Sequence, residues 1–210
     1  DLFNFFVMIE VCLLPSYGLI AMSGTRHRLL SARMFVLVNL AASTMLVLGV
    51  GYLYAVTGVV NLASLQGVAA GNGPATVATG IVVIAIAAKA GVFPVYTWLP
   101  RTYPSTSAAV MGLFSGLHTK VAVYGLYRIY SVMYDGDARL LPLILVLSLA
   151  TLVVGALASV GEHGVRAVLS WQMVSGIGGI LVGLGLSTRL GLAAGLFYLV
   201  HHMVAMGCLL

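Results

Sequence analysis

Charged side chains are scarce in this sequence of 210 residues, where 10 Lys and Arg and 5 Asp and Glu make up 7% of the chain. An ordinary soluble domain has about 25% charged residues, which keep its surface in water. Here 61% of the residues are hydrophobic, and the mean hydropathy is +1.10. This composition excludes a cytosolic enzyme, a nucleic-acid-binding domain and a disordered chain, and it predicts a polytopic protein in a lipid bilayer.

Cysteine is also scarce, and metal-ligating residues do not cluster. Cys12 and Cys208 both lie in apolar runs, which argues against a disulfide framework or a thiolate metal site. The adjacent His201 and His202 have no third ligand at helical spacing. The Gly-x-Gly patterns in the sequence do not follow a predicted strand, so they are not a nucleotide-binding fingerprint. We therefore expect no metal and no cofactor.

Seven apolar stretches are long enough to cross about 30 Å of hydrocarbon at about 1.5 Å per residue. We name these predicted segments A (2–22), B (34–56), C (75–97), D (106–130), E (140–160), F (165–186) and G (190–210). They are continuously apolar rather than alternating, which favours helices over β-barrel strands. The predicted fold is an all-α transmembrane bundle that forms a single domain over 1–210. Because the chain begins without Met and stops inside an apolar run, we expect a piece of a longer protein.

The basic residues between the segments predict an orientation. The connection from A to B holds the densest cluster, and the same side of the bundle carries Arg26, Arg28, Arg33, Arg101 and Arg166. The opposite side carries fewer basic residues and two acids, namely Arg128, Arg139, Arg189, Asp135 and Asp137. Cytoplasmic loops of membrane proteins are enriched in Lys and Arg. We therefore expect the A–B connection to face the cytoplasm, in a protein of the cell membrane.

Three formal charges fall inside the predicted hydrocarbon layer: Glu10 in A, Lys89 in C and Lys120 in D. Each costs about 2.5–3.5 kcal/mol near a helix centre, so together they cost on the order of 8–10 kcal/mol.

One interpretation of these charges is a structural ion pair that locks helices together. The other is a proton pathway, because desolvation disfavours a charged amine and a nearby carboxylate favours it. Movement of Glu10 relative to Lys89 would then switch the amine between holding and releasing a proton. We predict that these two side chains approach each other.

Segment C predicts a break close to its lysine. Lys89 lies five residues before Pro94, and a proline clashes with the carbonyl four residues earlier, here that of Ala90. Broken transmembrane helices expose backbone groups to water or ions at mid-membrane. We therefore predict an interruption at Pro94 with hydrated surroundings for the amine. Trp98 and Tyr103, farther along, are residue types typical of a membrane interface.

Histidines supply groups that titrate near neutral pH. His201 and His202 lie inside segment G, and an adjacent pair favours a proton relay over a single hydrogen-bonded packing residue. His118 and Lys120 are two residues apart, so they point to roughly opposite faces of a helix and cannot both line one narrow path.

Several stretches resemble the antiporter-like subunits shared by respiratory complex I and the Mrp cation/proton antiporters. The most specific are Lys89-Ala-Gly-Val-Phe-Pro-Val-Tyr-Thr-Trp-Leu-Pro and Phe114-Ser-Gly-Leu-His-Thr-Lys-Val-Ala-Val-Tyr. The opening residues 1–10 are similar to the family helix with the essential glutamate, and 197–203 to its histidine-bearing helix. Residues 159–178 resemble a later segment in which a basic loop precedes a Ser- and Gly-bearing helix. The Thr-Lys-Val-Ala-Val-Tyr version is most similar to the Mrp branch of this family, and within it to the D-type subunits.

The resemblance implies two inverted five-helix repeats, each with a broken helix, of which 1–130 would hold most of the first and 140–210 the start of the second. It implies that Glu10 is the pairing glutamate, Lys89 the broken-helix lysine and Lys120 the next relay lysine. His201 or His202 would continue the path.

Three positions depart from the family pattern. Arg101 stands where the family usually has Asp, and His118 where related sequences are commonly apolar. Met206 replaces the lysine expected shortly after the histidine pair. We predict a dry, apolar patch there.

The function implied is a membrane subunit of a multisubunit antiporter that moves H⁺ inward in exchange for Na⁺ or another monovalent cation. This makes the chain a transporter subunit rather than an enzyme. Its partners would be other membrane subunits, protons, the cation and lipid, with no nucleic acid. One alternative is a proton-pumping subunit of complex I or of a membrane-bound hydrogenase. The other is a structural homologue that conducts no ions.

Overall fold

A computed structural model of the protein describes residues 1–22 and 24–210. Within these ranges the chain forms ten α-helices and two short 3-10 helices, Leu62–Leu65 and Tyr103–Ser105. The α-helices are α1 (Leu2–Ala21), α2 (Arg26–Thr57), α3 (Val68–Gly71), α4 (Gly73–Ala90), α5 (Trp98–Thr102), α6 (Ala108–Gly116), α7 (His118–Met133), α8 (Leu141–Val160), α9 (Val165–Leu186) and α10 (Arg189–Leu209). The prediction of an all-α bundle is confirmed.

Among the described residues, six helices are long and apolar enough to cross a membrane: α1, α2, α4, α8, α9 and α10. Predicted segment D is instead divided into α6 and α7, which meet at Leu117. The prediction of a continuous helix over 106–130 is therefore wrong, and the bundle combines six continuous spans with one two-part segment.

Two predicted boundaries also need correction. Helix α2 begins at Arg26, eight residues before the predicted start of segment B, because basic side chains are good helix formers. The basic cluster therefore lies in the first turns of this helix rather than in a loop. Helix α4 ends at Ala90, seven residues before the predicted end of segment C.

Small residues let the helices approach closely. At Gly155 of α8, a β-carbon would collide with the backbone of Ser175 in α9, and at Gly178 of α9 with the backbone of Leu152 in α8. At Gly49 of α2, it would come within 2.9 Å of the Val82 side chain in α4. These contacts hold α8 against α9 and α2 against α4.

Hydrogen bonds tie the connections together at the two ends of the bundle. At one end, Ser31 near the start of α2 donates to the Arg101 carbonyl at 3.4 Å, and Arg166 Nη1 donates to the Thr106 carbonyl at 2.6 Å. At the other end, Gln66 donates to Asp135 at 3.2 Å. The predicted grouping of these connections by side is therefore observed.

Arg139 organises the second end of the bundle. Its guanidinium donates to the Ala70 carbonyl at 3.0 Å and lies 2.6 Å from an oxygen of Asp137. The hydrogen bonds from Arg139 lower the pKa of the Asp137 carboxyl below its ordinary value.

Candidate functional site

Three helices bring Glu10, Ser43 and Lys89 together inside the bundle. The Lys89 Nζ lies 3.6 Å from a Glu10 carboxylate oxygen and donates a hydrogen bond to Ser43 Oγ at 2.6 Å. The Ser43 hydroxyl in turn donates to the same Glu10 oxygen. Lys89 is 4% exposed and the Glu10 side chain is 25% exposed. The predicted approach of Glu10 and Lys89 is confirmed, and a hydroxyl bridges the pair.

Helix α2 supplies the polar groups that complete the surroundings of the amine. Asn39 and Ser43 are one turn apart, so they lie on the same face of this helix, and both are buried. The Asn39 carbonyl accepts a hydrogen bond from Lys89 Nζ at 3.4 Å. The Asn39 side chain donates to the Phe35 carbonyl at 2.9 Å. Sequence reasoning missed both residues, because a single amide or hydroxyl in an apolar segment can bond to its own helix and so does not indicate a partner.

The end of α4 places Lys89 beside a break in the helix. Gly91 adopts a left-handed conformation with φ of +79°, which glycine tolerates without a side-chain clash, and the helix ends before it. The break thus lies within 89–94 as expected, but at Gly91 rather than at Pro94. Pro94 follows in an irregular turn and lies outside the helix.

Two carbonyls near this helix end accept hydrogen bonds from residues beyond the helix. The backbone N–H of Val92 donates to the Ala87 carbonyl at 3.1 Å. The indole Nε1 of Trp98 donates to the Ala88 carbonyl at 3.0 Å. The chain after α4 therefore folds back and caps these two carbonyls. Trp98 itself is buried among the helices.

Lys120 provides a second buried amine on α7. It is 2% exposed, and its Nζ donates to Thr119 Oγ1 at 3.3 Å. Among the residues that the structure describes, no carboxylate lies within ion-pair distance of it. The His118 side chain points away from Lys120, toward α1, where its ring hydrogen-bonds to Ser16. The two side chains diverge as the helical spacing predicts.

The histidine pair on α10 is divided between two environments. His201 is exposed and stacks on the Tyr198 ring, with centroids 5.9 Å apart. His202 is 5% exposed, and its ring fills the space that a β-carbon at Gly176 of α9 would need. Within the described ranges neither ring nitrogen of His202 has a hydrogen-bond partner. Met206, one turn farther along, is buried in the hydrophobic core.

Comparison with known proteins gives the relatives of this chain. It is 37% identical over 213 residues to the D-type subunit of a Na⁺/H⁺ antiporter of Alkalihalophilus pseudofirmus, and 32% identical over 213 residues to the corresponding protein of Bacillus subtilis. Each alignment covers 100% of this chain but 43% of the relative. The chain therefore spans less than half the length of these curated relatives.

A solved structure and a family profile agree with these relatives. The fold superimposes with a TM-score of 0.96 on a chain in the structure of the Mrp complex from a Dietzia species, at 50% identity. That match covers 99% of this chain and 40% of the other. The transmembrane family described as NADH:quinone oxidoreductase/Mrp antiporter matches residues 1–210. Together with its membrane-spanning helices, these matches establish that the chain belongs to the NADH:quinone oxidoreductase/Mrp antiporter transmembrane family.

Proposed function

We propose that this chain forms part of the proton pathway in a membrane subunit of a multisubunit monovalent cation/proton antiporter. The cation is Na⁺ or another monovalent ion, exchanged for protons that move inward. The relatives named as D-type subunits of Na⁺/H⁺ antiporters, at 32% and 37% identity, support the antiporter assignment. Other membrane subunits are the expected partners, because the Dietzia structure is that of a complex.

The Glu10–Ser43–Lys89 bridge is the observation that carries the proton pathway. Lys89 donates to the Ser43 hydroxyl, and this hydroxyl donates to Glu10. A concerted shift would therefore move one proton from the amine to Ser43 and the Ser43 proton to the carboxylate. The result is a neutral Lys89 and a protonated Glu10, with the hydroxyl restored. The transfer leaves both Lys89 and Glu10 without charge, and neither side chain has to leave the interior of the bundle for it to occur.

The remaining relay groups follow along the bundle. Lys120 is the next amine, and its burial without a carboxylate partner in the described residues suits a group that alternates between charged and neutral forms. His202 continues the path because it is buried, whereas the exposed position of His201 makes it a secondary candidate. We also propose that 1–130 and 140–210 belong to two successive repeats, and that the start of α2 faces the cytoplasm of a cell membrane.

Everted membrane vesicles that contain the full-length protein with its partner subunits test this proposal. Addition of Na⁺ should drive proton flux, read by a pH-sensitive acridine dye, without any electron donor. Glu10→Gln or Lys89→Met should lower the initial rate by about 100-fold or more, since a positioned proton-transfer group contributes about 10²–10⁴. Both substitutions keep the approximate size of the side chain.

The Asp137–Arg139 pair provides the matched control. It is an ion pair of similar type at the end of the bundle and outside the relay. Asp137→Asn should leave the flux within about twofold, because surface ion pairs contribute only about 0–1 kcal/mol. Proton flux that requires an electron donor and ignores Na⁺ would instead favour a redox-driven pump. Equal flux for the parent and Lys89→Met would favour a non-conducting structural role.

A further inference from the structure

Thr151 of α8 reaches the helix break beside Lys89. Its hydroxyl oxygen accepts a hydrogen bond from the Phe93 backbone N–H at 2.9 Å, and the hydroxyl donates to the Leu147 carbonyl of its own helix at 2.6 Å. The residue is buried. Among the described residues, this is the one hydrogen bond between the turn 91–97 and the half of the chain beyond residue 140. The turn that ends α4 is thus attached to a helix outside the Lys89 bridge.

Helix α8 is a firm support for this hydrogen bond. Thr151 lies one turn before Gly155, where α8 approaches the backbone of α9 so closely that a β-carbon would collide with it. Helix α9 also contacts the turn, because the Trp171 ring lies against the Tyr96 ring with centroids 5.9 Å apart. A group on packed helices keeps its geometry better than one on a loop. The turn is therefore held by two helices that pack tightly against each other.

The turn is joined to Lys89 over a short length of chain. Phe93 follows Lys89 by four residues. Between them, the Val92 N–H donates to the Ala87 carbonyl at 3.1 Å, which ties the turn to the last turn of α4. A displacement of the Phe93 backbone would therefore be passed to the part of α4 that carries the lysine.

A cavity of about 70 Å³ adjoins Val92. It lies between α4, α7, α8 and α9, and its lining is mostly apolar. Close packing fixes a segment where neighbouring atoms fill the space around it, and this cavity leaves one side of Val92 without such contacts. The position of the turn therefore depends strongly on the hydrogen bond between Phe93 and Thr151.

We propose that Thr151 is a positioning residue for the proton relay, which holds Lys89 in place against Ser43 through the turn 91–97. The Lys89 Nζ donates to Ser43 Oγ at 2.6 Å, and a misplacement of about 1 Å can slow a reaction about 100-fold. The inference rests on the proposed function, because a proton step at Lys89 is what requires this alignment. It also connects the second half of the chain to the relay, since a shift of α8 would move the turn.

Thr151→Val removes the acceptor and keeps the shape of the side chain. In vesicles with the full complex, we expect the Na⁺-driven proton flux per assembled complex to fall at least about tenfold. Proton transfer from a misplaced amine then limits the rate, so the ratio of the flux in H₂O to the flux in D₂O should rise above that of the parent. A loss of flux with an unchanged ratio would indicate a purely structural role and overturn the proposal.

Ser148→Ala is the matched control for Thr151→Val. Ser148 lies on the same buried face of α8, and among the described residues its hydroxyl bonds only to the Ile144 carbonyl of its own helix, at 2.6 Å. The variant removes a hydroxyl from this face without releasing the turn. It should match the parent in flux and in the ratio between H₂O and D₂O.

Thr151→Ser and Thr151→Cys keep the experiment decisive if Thr151→Val does not assemble. The two variants differ in one atom, and sulfur accepts hydrogen bonds only weakly. The serine variant should retain most of the flux, and the cysteine variant should be about threefold slower than it, with a higher ratio between H₂O and D₂O. Equal flux for these two variants, or parent-like flux for Thr151→Val, while Glu10→Gln is inactive, would overturn the role of Thr151 alone. Equal flux for the parent and Glu10→Gln would overturn the proposed function, and this inference with it.

Discussion

The Lys89 ammonium lies 3.6 Å from the Glu10 carboxylate, beyond normal hydrogen-bond distance, and the Ser43 hydroxyl joins the two. Attraction between the charges acts at this distance, but proton transfer needs atoms within hydrogen-bond reach. The serine therefore has a role in the pair that neither charge can fill. It accepts a hydrogen bond from Lys89 and donates one to Glu10, so in the proposed pathway it would pass the proton between them.

Ser43→Ala should slow transport without removing either charge. We expect the initial rate of Na⁺-driven proton flux to fall at least about tenfold, because the bridge for proton transfer is lost. Ser43→Thr keeps a hydroxyl and should retain most of the rate. Measurement of both variants in vesicles, with the amount of assembled complex determined for each, checks this prediction. If Ser43→Ala transports as fast as Ser43→Thr, the hydroxyl is not the bridge for the proton.

Trp98→Phe should destabilise the helix break beside Lys89. The phenyl ring keeps most of the packing, but the Ala88 carbonyl loses the indole N–H that it accepts at 3.0 Å. The Gly91 N–H still donates to this carbonyl at 3.2 Å, so the substitution removes one of its two hydrogen bonds, at a cost of about 0.5–1.5 kcal/mol. Thermal unfolding of the purified complex should therefore begin at a lower temperature.

Trp171→Phe is the matched control for Trp98→Phe. The Trp171 indole donates at 3.0 Å to Glu162, in a partly exposed position where water can replace the bond. The Trp171→Phe substitution should therefore lower the unfolding temperature by less than Trp98→Phe does. Equal effects would show that the loss of aromatic area, and not the carbonyl cap, determines stability.

Gly176→Ala should displace the His202 ring, because the added β-carbon would collide with it. Overpacking of this kind costs about 1–3 kcal/mol, and a shifted imidazole should also lower proton flux. Gly207→Ala on the same helix as His202 meets nothing within 4 Å and should have little effect on either quantity. Unfolding temperature and flux of the two variants test the contact. Unchanged values for Gly176→Ala would show that His202 has room to move.

The membrane helices and the central ion pair could be predicted from the sequence for energetic reasons. Continuous apolar runs have few stable alternatives to helices in lipid, and an unpaired buried charge is so costly that Glu10 and Lys89 were expected to meet. Ser43 is different. A hydroxyl can bond to its own helix, so its presence in an apolar segment gives little indication of a partner.

The breaks were harder to locate. Gly91 is a residue type typical of a helix C-terminus, and it was a better signal than Pro94 for the end of α4. The interruption at Leu117 has no such local cause. Composition also does not distinguish Trp98 from an interfacial tryptophan, because both need a partner for the indole N–H and only the folded chain shows which one it has.

Met206 should mark the end of the titratable groups on α10. It is one turn beyond His202, on the same face, and is 5% exposed within the hydrophobic core. A thioether is a weak acceptor and cannot carry a proton at physiological pH. We therefore expect the path to leave α10 at His202, and we expect Met206→Lys to give no gain in Na⁺-driven proton flux. An amine there would be buried without a carboxylate among the described residues, which also predicts less assembled complex.

Met206→Leu is the matched control for Met206→Lys. It preserves volume and apolarity, so it should match the parent in flux and assembly. A severalfold gain in flux for Met206→Lys, with normal assembly, would show instead that the path runs through this position and that the methionine interrupts it.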